Sequence, residues 1–288
     1  NIIDLTRMVQ RLAEKLKTDA TQTMTDSNTT NDSDEPDLKD KARRLMKSVE
    51  TGDQEPIGYV DAKNYTQHNL SIADGLDGFA ETLEQLPDDS TSIDTLRLFR
   101  DGDYIFAHND WNFFGPKIGF DILRAEDGKF VEHWDNLQEK PDSPNPSGHT
   151  MLGGATEVTD LEKTEENKEL VENFVTDILV NGRIEKLEEY IDGDTYIQHN
   201  PEIADGLSGL REWFEGMEEA GITIGYDEIH MVLGEGNFVL TVSEGEFDGD
   251  HTAFYDLFRV EDEKVAEHWD VIEEIPPRDE WANDNGKF

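Results

Sequence analysis

Apolar residues recur along the chain in two rhythms, and the order of those rhythms is written twice. Helical spacing comes first. Ala42, Leu45, Met46 and Val49 form one apolar stripe closed by Gly52, and Leu170, Phe174, Ile178 and Leu179 form another closed by Gly182. A short helical piece follows around Tyr59 and Val60, or Tyr190 and Ile191, and a third helix is predicted over residues 79–86 and again over 210–217. Period-two alternation then takes over. Residues 92–99 and 104–108 read as a hairpin about Asp101-Gly102, and residues 229–233 and 238–242 as its counterpart about Gly234-Glu235-Gly236. Two further strands meet at Asp127-Gly128, or at Asp262-Glu263. Each half therefore predicts three helices followed by a strongly bent antiparallel sheet of about four strands, an α+β pattern.

Direct comparison of the halves turns this parallel into an internal duplication. DILRAEDGKFVEHWD, ending at Asp135, and DLFRVEDEKVAEHWD, ending at Asp270, agree at nine of fifteen positions; YTQHNLSIADGLDGF and YIQHNPEIADGLSGL, starting at Tyr65 and Tyr196, agree at ten of fifteen. The expected division is a helical arm and polar linker over 1–37, a first domain over 38–140, an inter-domain linker over 141–164, a second domain over 165–278 and a tail over 279–288. Ile2, Leu5, Met8, Val9, Leu12 and Leu16 give the arm its helical spacing.

Charge narrows the class. Acidic residues outnumber basic ones by 67 to 25, for a net charge of -42. Nucleic acid and anionic membrane surfaces are excluded as partners, because both require a basic footprint. Acidity spread over the whole length predicts adaptation to high salt, where the self-repulsion is screened. There is no cysteine, so disulfides, thiolate metal sites and a cysteine nucleophile are excluded. No apolar run approaches the roughly 20 residues that span a bilayer. The expected compartment is the cytoplasm; because the chain opens on Asn, a removed leader and a secreted or periplasmic location stay open.

Candidate chemistry follows from strand geometry. Side chains alternate, so His133 and Asp135 share one face of the last strand while Glu132 and Trp134 share the other, and only one pair can face a cavity. The hairpin sets Asp121 opposite or diagonal to Asp135; Asp256, His268, Trp269 and Asp270 repeat the arrangement. A carboxylate desolvated beside an aromatic wall can pass protons near neutral pH. Gln67-His68-Asn69 and Gln198-His199-Asn200 read either as a pocket mouth, with His68 or His199 reaching a ligand or the strand aspartate, or as a helix-ending network. No metal or cofactor is expected: His-x-His and His-x-x-x-His spacings and phosphate-cradling glycine loops are missing.

The combination Tyr-x-Gln-His-Asn, Ile-Ala-Asp-Gly, Asp-x-x-Arg and Glu-His-Trp-Asp resembles SnoaL-like proteins, the polyketide-cyclase branch of the NTF2-like superfamily, over about residues 38–139 and again 165–275. The resemblance implies two tandem cone-shaped α+β barrels, each a curved antiparallel sheet over three helices around an apolar cavity, paired through their sheets as an intrachain pseudo-dimer, with a homodimer as the other assembly. It implies cofactor-independent aldol-type or isomerase chemistry on a small apolar molecule. The acid/base role falls on Asp135 and Asp270, with Asp121 and Asp256 as pocket partners and His68 and His199 as orienting residues. Tyr65, Gln67, Asn69, His108, Trp111, His133 and Trp134, with Tyr196, Gln198, Asn200, His268 and Trp269, are the expected substrate contacts. His108 aligns with Val242 and Trp111 has no aromatic equivalent, so the two pockets are expected to differ. The rival readings are a non-catalytic ligand-binding protein and a pseudo-dimeric interaction module.

Overall fold

The computed structural model describes residues 35–86 and 91–288, so the helix expected over residues 1–17 lies outside the described residues. Helix α1 (Leu38–Thr51) starts where the Asp37 side chain accepts the backbone N–H of Asp40, and stops at Gly52 in the left-handed conformation. Its buried face holds Ala42, Leu45 and Met46, three of the four residues of the predicted stripe. A 3-10 turn (Glu55–Tyr59), the two-residue strand β1 (Thr66–Gln67) and helix α2 (Gly75–Gln85) follow. The strands are β2 (Ser92–Asp101), β3 (Tyr104–Asn112), β4 (Pro116–Glu126) and β5 (Lys129–Glu139). In the second unit α3 (Thr164–Phe174) runs on into a π-helical turn (Val175–Val180), and the remaining elements are β6 (Ile197–Gln198), α4 (Gly206–Ala220), β7 (Ile224–Glu235), β8 (Phe238–Phe247), β9 (Asp250–Glu261) and β10 (Lys264–Glu274).

The two sheets have the same order, β1-β5-β4-β3-β2 and β6-β10-β9-β8-β7. Each has one more strand than the four expected from alternation. The additional strand is the Tyr-x-Gln-His-Asn block: Thr66 and Gln67 pair parallel with Glu132 and His133, and Ile197 and Gln198 with Glu267 and His268. Two residues are too few to register as alternation, so the pairing was illegible. Asp74-Gly75 and Asp205-Gly206 begin helices α2 and α4. Asp74 and Asp205 sit at the N-cap, but each carboxylate accepts the backbone N–H of Gln67 or Gln198, at 3.0 and 2.9 Å. They fix β1 and β6 rather than cap their own helices. The glycines three residues on are steric necessities: a Cβ at Gly78 would lie 1.9 Å from the carbonyl oxygen of Ala73, and at Gly209 2.2 Å from that of Ala204.

Helices cover one face of each sheet and the other sheet covers the opposite face. Phe99, Phe106, Phe120, Ile122 and Trp134 share one core with Phe238, Leu240, Tyr255, Leu257 and Trp269 of the second unit. Phe99 meets Phe238 with ring centroids 4.7 Å apart. The Asn136 amide, fully buried, donates across the interface to the carbonyls of Ala253 and Val271 at 3.0 and 2.7 Å. Each fully buried aromatic of this kind contributes roughly 1.5–3 kcal/mol. The intrachain pseudo-dimer is therefore joined by a continuous hydrophobic core.

The segments that leave the last strands cross over. Asn145, after β5, donates to the backbone carbonyls of Gln198 and Ile203 in the second unit. Asn283, after β10, donates to those of Asn69 and Ile72 in the first. Ile72 and Ile203 occupy the same place in the repeated block, and so do Gln198 and Gln67, whose carbonyl accepts from Asn285, so the exchange is reciprocal. Met151 is part of the inter-sheet core.

Candidate active site

Register places Asp121 directly opposite Asp135, and Asp256 directly opposite Asp270. In the first unit both aspartates and His133 line a cavity of about 630 Å³ between the sheet and its helices. Tyr65, Gln67, Asn69 and Trp111 line it as well. The other pair of the quartet faces away: Trp134 lies in the inter-sheet core, and Glu132 accepts from His68 and Arg124. The two-way choice left by alternation is thus decided for the aspartate side.

The first-unit network can be followed proton by proton. Gln67 Oε1 accepts the backbone N–H of Asn69 at 2.9 Å, which identifies it as the oxygen; it therefore also accepts from His133 Nδ1, at 2.9 Å. His133 Nε2 faces Asp121 Oδ1 at 3.2 Å, so the ring lies between two acceptors and favours the doubly protonated form. Burial alone would lower the imidazole's pKa, but the hydrogen bond to Asp121 and the charges of Asp135 and Asp121 outweigh it and raise it. The second carboxylate oxygen of Asp121 is saturated by Asn109 Nδ2 at 2.7 Å and Trp111 Nε1 at 3.0 Å. Asp135 differs. Asn69 Nδ2 holds its Oδ2 at 2.7 Å, while Oδ1 is buried without a hydrogen-bond partner among the described residues.

The second unit reproduces this frame around Asp270 and departs from it around Asp256, where by register Ser243 stands in the place of Asn109. Gln198 Oε1 receives His268 Nδ1 at 3.0 Å, His268 Nε2 meets Asp256 at 3.0 Å, and Asn200 holds Asp270 Oδ2 at 2.6 Å, leaving Oδ1 unpartnered. By register, the place of Trp111 is taken by Gly245 and that of Ile93, its cross-strand neighbour, by Tyr226. The Tyr226 hydroxyl closes on Asp256 at 3.2 Å, supplying the donor that Trp111 supplies to Asp121. Burial pushes the Asp270 carboxyl up to about 6, and both Tyr196 and Tyr226 are held well above the ordinary tyrosine range, first by burial and then by the neighbouring aspartates.

Several expected site residues lie elsewhere. His68 and His199 do not reach the strand aspartates. They stack on Trp134 and Trp269 at 4.7 and 4.8 Å, on the inter-sheet side, with Nε2 on Glu132 or Glu267 and Nδ1 on the crossing segments, at the carbonyls of Gly286 and Thr150. The reason is the parallel pairing of β1 and β6: adjacent residues there point to opposite faces, so Gln67 goes to the cavity and His68 to the interface. His108 is also on the interface side, 3.0 Å from Arg97 and stacked on Phe120, and burial with the Arg97 charge keeps its pKa well below the ordinary range. Trp134 and Trp269 are inter-sheet core, not cavity wall. The alignment of His108 with Val242 agrees with the strand register. Asn109 and Tyr226 were not among the expected residues; Asn109 follows the predicted strand 104–108 and Tyr226 precedes the predicted strand 229–233.

Asp121, His133 and Asp135 bring ligand atoms within 4.8 Å of one another, as do Asp256, His268 and Asp270. Either set could hold a divalent cation if the imidazole gave up its Nε2 proton. Motif spacing did not reveal this because one ligand comes from the preceding strand.

Residues 171–268 match the SnoaL-like domain. No curated protein matches the chain. Among solved structures, TsrD from Streptomyces laurentii is 20% identical, the match covering 36% of this chain and 92% of that one with a TM-score of 0.30. An LEH-like epoxide hydrolase from M. tuberculosis is 20% identical, covering 38% of this chain and 85% of that one with a TM-score of 0.31. A SnoaL-like polyketide cyclase from Agrobacterium tumefaciens is 13% identical, covering 37% and 91% with a TM-score of 0.31. No helix among the described residues is long and apolar enough to cross a membrane.

Proposed function

Starting from a second unit that matches the SnoaL-like domain, we propose that this protein catalyses proton transfer at a carbon next to a carbonyl, as in aldol-type cyclisation or isomerisation of a small apolar ketone, with Asp135 as the acid/base. The observation that carries the reading is the state of that side chain, which lines a largely apolar cavity with one oxygen fixed by Asn69 and the other buried and unpartnered among the described residues. A carboxylate whose free oxygen meets substrate instead of water needs no reorganisation before accepting a carbon-bound proton. The charge on His133, held in place by Gln67 and Asp121, would offset the negative charge that develops on the enolate. The Tyr65 hydroxyl lies on the same wall, and its pKa is held above the ordinary range by burial and by Asp135 and Asp121, so it stays neutral.

The test is exchange at carbon. Cyclic ketones such as α-tetralone, incubated with the protein in D₂O and followed by proton NMR, should lose their α-protons faster than in buffer. Asp135→Asn should reduce the enzymatic rate by about 10²–10⁴-fold, the range typical of a positioned acid/base. An unchanged exchange rate in Asp135→Asn, with ligand affinity also unchanged, would select the rival reading of a binding protein.

A further inference from the structure

The described lysines near the first cavity are paired except one. Lys140 binds Asp110 at 2.6 Å, and Lys287 binds Glu273. Lys117 lines the cavity and has no hydrogen bond or ion pair among the described residues. In a chain with 67 acidic and 25 basic residues, an unpaired cation bordering a cavity is a vacancy that needs an account. Its cross-strand neighbours are Trp111 and Glu139, and Glu139 is exposed and does not reach it. Lys117 precedes Asp121 by four residues on β4, so both point to the cavity face, about 13 Å apart at about 3.3 Å per residue. The intervening inward position is Gly119, over which the Leu137 and Trp111 side chains pack, within 2.6 and 3.3 Å of where a Cβ would stand, so the two ends are joined through the cavity beyond the Trp111 indole rather than along the strand. Beside Lys117 the cavity rim is aromatic: Phe113 and Phe114 line it, and Phe114 is 64% exposed in the turn before β4.

We propose that Lys117 is a specificity-determining residue that receives a carboxylate on the ligand, so that the first cavity takes keto acids, with the carboxylate at the aromatic rim and the ketone at Asp135. The ketone half rests on the proposed acid/base role; the carboxylate half rests on the cavity alone. The second unit lacks this device. By strand register Thr252 stands in the place of Lys117 and Gly245 in that of Trp111, so anion selection belongs to the first unit.

Two fluorescent probes that differ only in the head group, pyrenebutanoate and pyrenebutanol, separate the contributions when titrated into the full chain at one fixed salt concentration. Wild type should bind the carboxylate about fivefold more tightly than the alcohol, the range of a half-exposed ion pair. Lys117→Met, which keeps the apolar stem, should bind both equally, and Lys117→Arg should restore the preference. Asp135→Asn should keep it, so that loss of the acid/base reading and loss of the anion-site reading give different results. Equal affinities in wild type, a preference that survives Lys117→Met, or failure of both probes to bind would each overturn the proposal.

Discussion

Asp135 and Asp270 carry the same motif, the same asparagine clamp and the same unpartnered oxygen, yet the residues around their partner aspartates differ. Where the first unit has Ile93 and Trp111, the second has Tyr226 and Gly245, and the phenol closes on Asp256. Burial raises the Asp270 carboxyl from 3.8 to about 6. The folded state then binds a proton more tightly than the unfolded chain, so this group favours folding below pH about 4, and its contribution is lost as pH rises to about 6. That gap corresponds to about 3 kcal/mol, at about 1.4 kcal/mol per pH unit. Thermal unfolding between pH 4 and 8 should show Asp270→Asn with a flatter profile than wild type across this window and a higher midpoint above it. A parallel pair of profiles would remove the assignment of a raised pKa to Asp270. At this scale the sequence was legible as far as alternation reaches: it gave the His133/Asp135 and Glu132/Trp134 pairing, and it could not give the direction of His68, which depends on a two-residue parallel strand.

The crossing segments make contacts that sequence reading did not supply. Residues 141–164, with three Pro and three Gly, were expected to be a linker and 279–288 a tail. In the fold each latches the opposite unit. Asn145 and Asn283 are 5% and 7% exposed, and each satisfies two backbone carbonyls. Replacing either with Ala leaves those acceptors buried and should cost about 1–3 kcal/mol, read as a lowered unfolding midpoint. Function should separate the two substitutions. Ala282 and Glu273 border the first cavity, so Asn283→Ala should weaken probe binding there several-fold, while Asn145→Ala should lower stability and leave that binding unchanged. Equal binding losses in both variants would show that the tail has no special relation to the first cavity.

On the scale of the whole molecule, two opposed terms set the stability. The inter-sheet core joins the units through Phe99, Trp134, Phe238 and Trp269, while a net charge of -42 pushes the surface apart. Screening reduces the second term and strengthens neither set of contacts directly, so the unfolding midpoint should rise steeply from low to molar salt. A midpoint independent of salt would remove the reading of adaptation to high salt.

What the sequence determined by itself was whatever is encoded locally or by repetition: helix stripes with their glycine stops, strand alternation, the duplication, and the acidic surface. Each of these depends on residues a few positions apart, or on comparing one half with the other. Only tertiary structure decided which sheet face became the cavity, that His68 and His199 serve the interface, that the segments after each repeat cross over, and that Lys117 has no partner among the described residues. These depend on contacts between residues 50 to more than 200 positions apart, such as Asn69 with Asp135 and His68 with Gly286, for which no periodicity exists to be read.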